Sequence, residues 1–312
     1  MGLDSKIWVA GRTTLAGKAL VKRLAALGYR QLVGRDTAEP DGMNGAAVER
    51  HLELFRPEFI FAFAGHSAGI LANQRRPAEL MRENLLAASH ILESAYRIGV
   101  KKLLYLASSC IYPRLCPQPM RPEHLMTGAL EPTSQSYATA KLTGIELCRA
   151  YRKQYGASFI SVIPADVFGP EDDFDPEASH VVPALIQKIH KTKTEGSKTI
   201  TLWGSGEPVR DFIFSRDLAD ACIFLMSHWK GEDIVNISAH QPHSIRNIAH
   251  LIAEVIGYKG EIRFDMKSPD GTPEKRLDAA SIFEAGWRPA VKIQDALRET
   301  YNVFRNSSMA QL

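Results

Sequence analysis

The sequence predicts a doubly wound α/β protein, a parallel sheet covered by helices on both faces, with a smaller α/β domain attached. Three observations predict it. Short apolar runs alternate with amphipathic stretches through the first half, an early strand-to-helix turn carries Gly11 and Gly17, and beyond Pro164 the rhythm breaks into shorter, irregular pieces.

The first apolar run, Ile7 to Ala10, reads as a strand and is followed by a helical pattern from Leu15 to Leu27. Strands over Gln31 to Val33 and Phe59 to Ala64 continue the alternation. A helix from about Pro77 to Ile98, a strand from Leu103 to Ala107, a long helix from about Ser136 to Tyr155 and a strand from Phe159 to Pro164 complete it. The later part holds a loop from Gly169 to Ser179, a helical stretch from Val182 to Lys191, a strand from Thr199 to Trp203, and helices near Ser244 to Ile256 and Ile293 to Phe304. The segment Asp211 to Leu225 is expected to return to the main sheet. The two domains therefore interleave: 1–165 with about 211–238 for a dinucleotide, about 166–210 with 239–312 for a substrate.

At 312 residues, 45% hydrophobic and 23% charged, the chain can bury a full α/β core and a smaller second one. The net charge of +3 is spread along the sequence, so no nucleic-acid partner is indicated. No apolar stretch reaches the roughly 18 residues of a bilayer span, and Met1 to Lys6 shows no signal-peptide pattern, which makes the cytoplasm the expected location and leaves out a membrane partner. Cys110, Cys116, Cys148 and Cys222 lack metal-ligand spacing; free thiols and no metal site are expected.

The turn Gly11 to Ala16 before a helix opening near Gly17 places backbone N–H groups at a helix N-terminus, where a pyrophosphate can bind. Thr14 stands where a glycine would ease backbone approach, so a plain tight turn is an equal reading of this segment alone. Arg12 and Arg35 could grip the 2′-phosphate of NADP, whereas Asp36 would suit the free hydroxyls of NAD; the arginines favour NADP.

Tyr137 and Lys141 lie four residues apart on one helix face. A nearby ammonium favours the ionised tyrosine and eases proton exchange with a substrate oxygen. The same spacing also arises from a packed tyrosine beside an exposed lysine. Ser108, at the end of the preceding strand, can donate to a substrate carbonyl, and Tyr137 would protonate the alkoxide that hydride transfer creates. If extended backbone continues through Ser109, Cys110 projects to the side of Ser108; otherwise Cys110 is a buried structural thiol.

The string Ser108-Ser109-Cys110-Ile111-Tyr112-Pro113, with Tyr137 and Lys141, resembles the GDP-L-fucose synthases, NADPH-dependent enzymes that epimerise a GDP-4-keto-6-deoxy-mannose at C3 and C5 and then reduce C4. The likeness continues through Gly69 to Asn73, Asn84, Leu130 to Thr133, Ser179 to Leu185, Trp203 to Gly206, Arg210 to Phe212 and Asp270 to Pro273.

That resemblance implies a Rossmann-type cofactor domain, a homodimer and a GDP-linked keto-sugar as substrate. It makes Cys110 and His180 the acid-base pair for epimerisation. It assigns the nucleotide sugar to Lys188, Trp203, Arg210 and Asp270, and the cofactor to Gly11, Arg12, Thr14, Leu15, Gly17, Arg35, Leu106, Ala107, Ser109, Lys141, Pro164, Val167 and His180. Thr13 and Thr14, Asp166 in place of an asparagine and Lys188 in place of an arginine depart from the family pattern. Those departures leave open a C4 reductase of a GDP-4-keto-heptose or dideoxy sugar with partial or no epimerase activity. An NAD-dependent nucleotide-sugar 4-epimerase and a non-catalytic dinucleotide-binding protein are the more distant alternatives.

Overall fold

The computed structural model describes residues 1–175, 179–231, 233–267 and 270–311. Its first half alternates strand and helix: β1 (Ile7–Ala10), α1 (Leu15–Ala26), α2 (Gly45–Phe55), β2 (Phe59–Ala62), α3 (Ile70–Arg75), α4 (Pro77–Arg97), β3 (Lys102–Leu106), α5 (Gln135–Tyr155) and β4 (Phe159–Pro164). The second half runs β5 (Asp166–Phe168), α6 (Val181–Thr194), β6 (Thr199–Trp203), β7 (Val209–Phe214), α7 (Ser215–His228) and β8 (Ile234–Ile237). It continues with β9 (Pro242–Ser244), α8 (Ile245–Ile256), β10 (Glu261–Asp265), β11 (Glu274–Lys275), α9 (Ala280–Glu284) and α10 (Ile293–Arg305).

The main sheet has the order β1-β2-β3-β4-β8, every pair parallel. Its strands read as near-continuous apolar runs because helices cover both faces: all four β1 residues and all six β4 residues are buried. α1 packs beside α7, and α2 and α5 flank α4. The strand expected over Gln31 to Val33 is reduced to one parallel bridge, Leu32 to Ile7, because Gly34 turns the chain away at φ +71°. That bridge lies on the far side of β1 from β2, so the chain leaves β1 in one direction and returns on the other, which opens a crevice at the carboxyl ends of these strands.

The return of Asp211 to Leu225 to the main sheet holds for its helix, whose Leu218, Cys222 and Leu225 lie in the main core, and not for its strand. β7 pairs with β5, β9 and β11 in a separate sheet, α7 reaches back to pack on α1, and β8 is the strand that closes the main sheet. The physical reason lies in β7 itself: Phe212 and Phe214 bury their rings in a second apolar cluster with Phe168, Ile186 and Ile248. α8 presents Ile248, Ile252 and Ile256 at helical spacing to this cluster, and α6 and α10 pack against it. Part of the loop expected over 169–179, residues 176–178, lies outside the described residues. Among the described residues, no helix is long and apolar enough to cross a membrane.

Candidate active site

The cofactor turn is built from two glycines and a cap. Gly11 sits at φ +83° with its Cα against the Phe63 and Ala64 backbone, and a Cβ at Gly17 would collide with the Gly11 carbonyl. The sequence reads Thr14 as an intrusion, but it is the helix cap: its Oγ accepts from the Gly17 N–H at 3.1 Å and donates to the Gly11 carbonyl at 2.7 Å. The Gly11 N–H donates to the Glu39 carboxylate, so a backbone donor of this turn already meets an anion. A dinucleotide fits this cradle. The expectation for Arg12 is altered, because its guanidinium donates to the Gly34 and Thr37 carbonyls and ties the following loop down. Arg35 is exposed at the same edge. Leu15 opens α1, and Leu106, Ala107, Pro164 and Val167 cluster at the carboxyl ends of β3, β4 and β5.

Beyond β3 the chain does not stay extended. Ser109 to Ile111 form one turn of 3₁₀ helix, capped by Ser108, whose Oγ accepts the Cys110 N–H at 3.3 Å. The alternation argument for Cys110 therefore fails, yet the turn still delivers the thiol close enough to Tyr137 to act on it electrostatically. Ser109 turns away from that side. Its hydroxyl is buried and donates to Asp166 Oδ1 at 3.2 Å, with Lys275 Nζ 3.3 Å away.

Tyr137 and Lys141 are both buried on the inner face of α5. Burial pushes the Tyr137 phenol up to about 12, helped by the neighbouring Cys110 thiol; hydrogen bonds from Ser67 and Ser108 work in the opposite direction. Burial lowers the Lys141 ammonium to about 8, and its Nζ donates to the Leu106 carbonyl at 3.2 Å. His180, the residue before α6, points its Nε2 at the Ser67 hydroxyl, 3.0 Å away. Burial lowers the His180 imidazole, the Asp166 carboxylate opposes that shift, and Lys275 adds to it. Ser108, Cys110, Tyr137, Lys141 and His180 thus converge at the carboxyl end of the main sheet.

Two members of this arrangement escape the sequence reading. Ser67 follows the end of β2, the position where open α/β folds place ligands, which is the signal that could have found it. Lys275 binds Asp166 Oδ1 at 2.6 Å, a contact between residues 109 apart in sequence that no motif announces. Burial works to raise the Asp166 carboxyl, but Lys275 and Arg210 outweigh it and hold it below the usual carboxylate range.

On the substrate side, Arg210 Nε lies 3.8 Å from Asp166, and Asp270 accepts from the Ser205 N–H at 2.7 Å and from its hydroxyl at 2.8 Å. Trp203 ends β6 and is 62% exposed, which leaves its indole available for stacking, and Lys188 is exposed on α6.

The NAD dependent epimerase/dehydratase family matches residues 7–238. A GDP-L-fucose synthase of Sinorhizobium fredii (strain NBRC 101917 / NGR234) is 44% identical over 303 residues, 97% of this chain and 96% of that protein. The chain belongs to the GDP-L-fucose synthase family. Among solved structures, a GDP-6-OMe-4-keto-L-xylo-heptose reductase from C. jejuni superposes with a TM-score of 0.90 at 28% identity, covering 98% of this chain and 99% of that one. A GDP-L-fucose synthetase from Naegleria fowleri bound to NADP superposes with a TM-score of 0.87 at 27% identity, covering 97% of this chain and 95% of that one.

Proposed function

We propose that this protein is an NADPH-dependent epimerase-reductase that converts a GDP-4-keto-6-deoxy-mannose-type sugar to GDP-L-fucose or a closely related GDP-sugar. The observation that carries the reading is the convergence of Ser108, Cys110, Tyr137, Lys141 and His180 at the carboxyl end of the main sheet, with Ser67 Oγ 3.0 Å from His180 Nε2: groups suited to reduction and groups suited to epimerisation share one site. NADPH is the cofactor this reading takes, on the glycine turn and the exposed Arg35 at its edge, and on the likeness to the NADP-bound synthetase.

A C4 ketone acidifies the hydrogens at C3 and C5. One member of the Cys110 and His180 pair removes such a proton, and the other returns one to the opposite face. The negative charge of the intermediate enolate rests on the C4 oxygen, where the Ser108 and Tyr137 hydroxyls donate hydrogen bonds. When bound, NADPH supplies the hydride that reduces C4. Tyr137 gives its proton to the C4 oxygen, and the Lys141 ammonium stabilises the phenolate that remains. Arg210, Lys188, Trp203 and Asp270 hold the nucleotide portion: two cations suit a diphosphate and the indole a flat ring.

The decisive assay follows NADPH oxidation and product NMR in deuterated water with GDP-4-keto-6-deoxy-mannose, with Cys110→Ser as control. Deuterium at C3 and C5 that disappears in the control is expected; oxidation without deuterium would replace this reading by a reductase. That second reading, a C4 reductase of a GDP-4-keto-heptose, draws support from the 28% identical heptose reductase, less than the 44% identical synthase lends the first. A homodimer is part of the proposal. The α4 and α5 face carries Tyr96 stacked on Tyr155 at 4.4 Å, with both rings more than a third exposed, a surface suited to a second copy.

A further inference from the structure

Cys110 and His180, the pair that epimerisation would use, come from different cores. Cys110 sits on the turn after β3, a strand of the main sheet, whereas His180 precedes α6, which packs into the second apolar cluster. An acid and a base that work on opposite faces of one sugar ring need a fixed separation, so the two halves must be tied across that boundary. The turn from Ser109 to Ile111 is a poor anchor by itself: a single turn of 3₁₀ helix, with backbone bonds of 3.3 Å from Ile111 to Ser108 and 3.4 Å from Tyr112 to Ser109. Its far end is held by buried Ile111 and by the Tyr112 hydroxyl, which donates to Asn236 Oδ1 at 2.7 Å.

Its near end is held by a closed triangle of side chains. The buried Ser109 hydroxyl donates to Asp166 Oδ1 at 3.2 Å and accepts from Lys275 Nζ at 3.3 Å, and Lys275 Nζ donates to the same Asp166 oxygen at 2.6 Å. A hydroxyl has one proton and two lone pairs, so it fills both roles at once. Asp166 lies on β5 and Lys275 on β11, strands of the second sheet, so the triangle joins the Cys110 turn to the half of the molecule that carries His180. Every bond in it is charge-assisted, and the ion pair is largely enclosed, which makes these contacts stronger than exposed ones. We propose that Lys275, with Asp166 and Ser109, is a positioning residue that fixes the Cys110 thiol relative to His180 for epimerisation, an inference that rests on the epimerase-reductase reading. The triangle transfers no proton; it acts through the backbone of the Cys110 turn. It also gives Ser109 a role other than the cofactor contact that the resemblance implies.

The test uses Lys275→Met, which keeps much of the side chain and removes the ammonium, and Lys275→Arg, which keeps a charged donor. Deuterium entry at C3 and C5 of GDP-4-keto-6-deoxy-mannose is followed by NMR with NADP in place of NADPH, so that no reduction competes. In the same variants, alkylation of Cys110 by iodoacetamide is mapped by mass spectrometry. Lys275→Met is expected to lower the maximal exchange rate about ten- to hundred-fold, the scale of a misplaced reacting group. Cys110 should be labelled several-fold faster, while the buried Cys148 and Cys222 stay unlabelled, as they would not if the whole fold loosened. Lys275→Arg is expected to bring both measurements back towards wild type. An exchange rate in Lys275→Met equal to wild type, a loss confined to KM, or labelling of Cys148 and Cys222 along with Cys110 overturns the proposal. Wild type that exchanges no deuterium removes the epimerase reading and the positioning role with it; wild-type exchange beside an unchanged Lys275→Met removes the positioning role alone.

Discussion

The ring of Tyr105, on β3, fills the space beside Gly144 of α5 that any larger residue would need. Tyr105 is 1% exposed, its hydroxyl donates to the Lys141 carbonyl at 3.4 Å, and the Lys141 ammonium lies 5.4 Å from its ring centre. The close approach of strand and helix is therefore what seats Lys141 over the end of β3. Gly144→Ala must move the helix or the ring, at a cost of about 1–3 kcal/mol. Thermal unfolding is expected to show a lower Tm together with slower NADPH oxidation. An unchanged Tm would mean that α5 shifts freely and that the approach is not a constraint.

Removing the phenol hydroxyl should separate the partial reactions. Tyr137→Phe keeps the ring that fills the buried position but loses the proton donor, so NADPH oxidation is expected to fall about 10²–10⁴-fold. Cys110 and His180 remain, and deuterium should still enter at C3 and C5, at a rate reduced by the loss of one hydrogen bond to the enolate. Loss of both exchange and oxidation to the same degree, seen by NMR, would place Tyr137 in proton abstraction itself.

Lys141 gives opposite pH trends for activity and stability. Its ammonium has a folded value of about 8 against the ordinary 10.5, so the folded protein releases that proton first as pH rises. In cofactor-free protein, stability should then increase between about pH 8 and 10, because the unfolded chain still binds the proton. Lys102, lowered by burial to about 8, contributes with the same sign. NADPH oxidation should instead decline as pH passes about 8, since the Lys141 cation that the proposed mechanism uses to stabilise the phenolate is lost, while Tyr137 at about 12 stays protonated throughout. Denaturant melts and initial rates over pH 7–10 check both; parallel trends would contradict the assignment.

The parts of the site that the sequence reveals are those carried by local spacing. Tyr137 and Lys141 are one helical turn apart, and the Ser108 to Cys110 run ends a strand, so period and position suffice to bring them together. The strand over Gln31 to Val33 failed because two apolar residues before a left-handed glycine cannot sustain a ladder. Within Asp211 to Leu225 only the helix returns to the main sheet; β7 pairs elsewhere, and the sequence could not separate the two because a buried apolar strand reads the same in either core. Ser67, Asp166 and Lys275 were missed or underread because their meaning lies in partners far along the chain, and hydrogen bonds of that kind leave no periodic trace.

Asp166 is the departure from the family pattern with the most bonds to test. Its carboxylate holds Lys275 at 2.6 Å and Ser109 at 3.2 Å, and Arg210 lies 3.8 Å away. Its side chain is 24% exposed and that of Lys275 14%, so the pair is largely enclosed, and removing one charge strands the other. Asp166→Asn is expected to cost about 1–3 kcal/mol at pH 7, less than the ~3–5 kcal/mol of a fully buried pair. The sign with pH follows from the depressed carboxyl. The stabilisation is complete above the unfolded aspartate value and is lost as pH falls through the folded one, so the gap between variant and wild type should close below about pH 4. A double variant, Asp166→Asn with Lys275→Met, removes both charges and should recover part of the loss at pH 7. Denaturant titrations at pH 7 and in steps downward from pH 4 decide it: a gap that does not narrow as pH falls would assign the cost to packing rather than to charge.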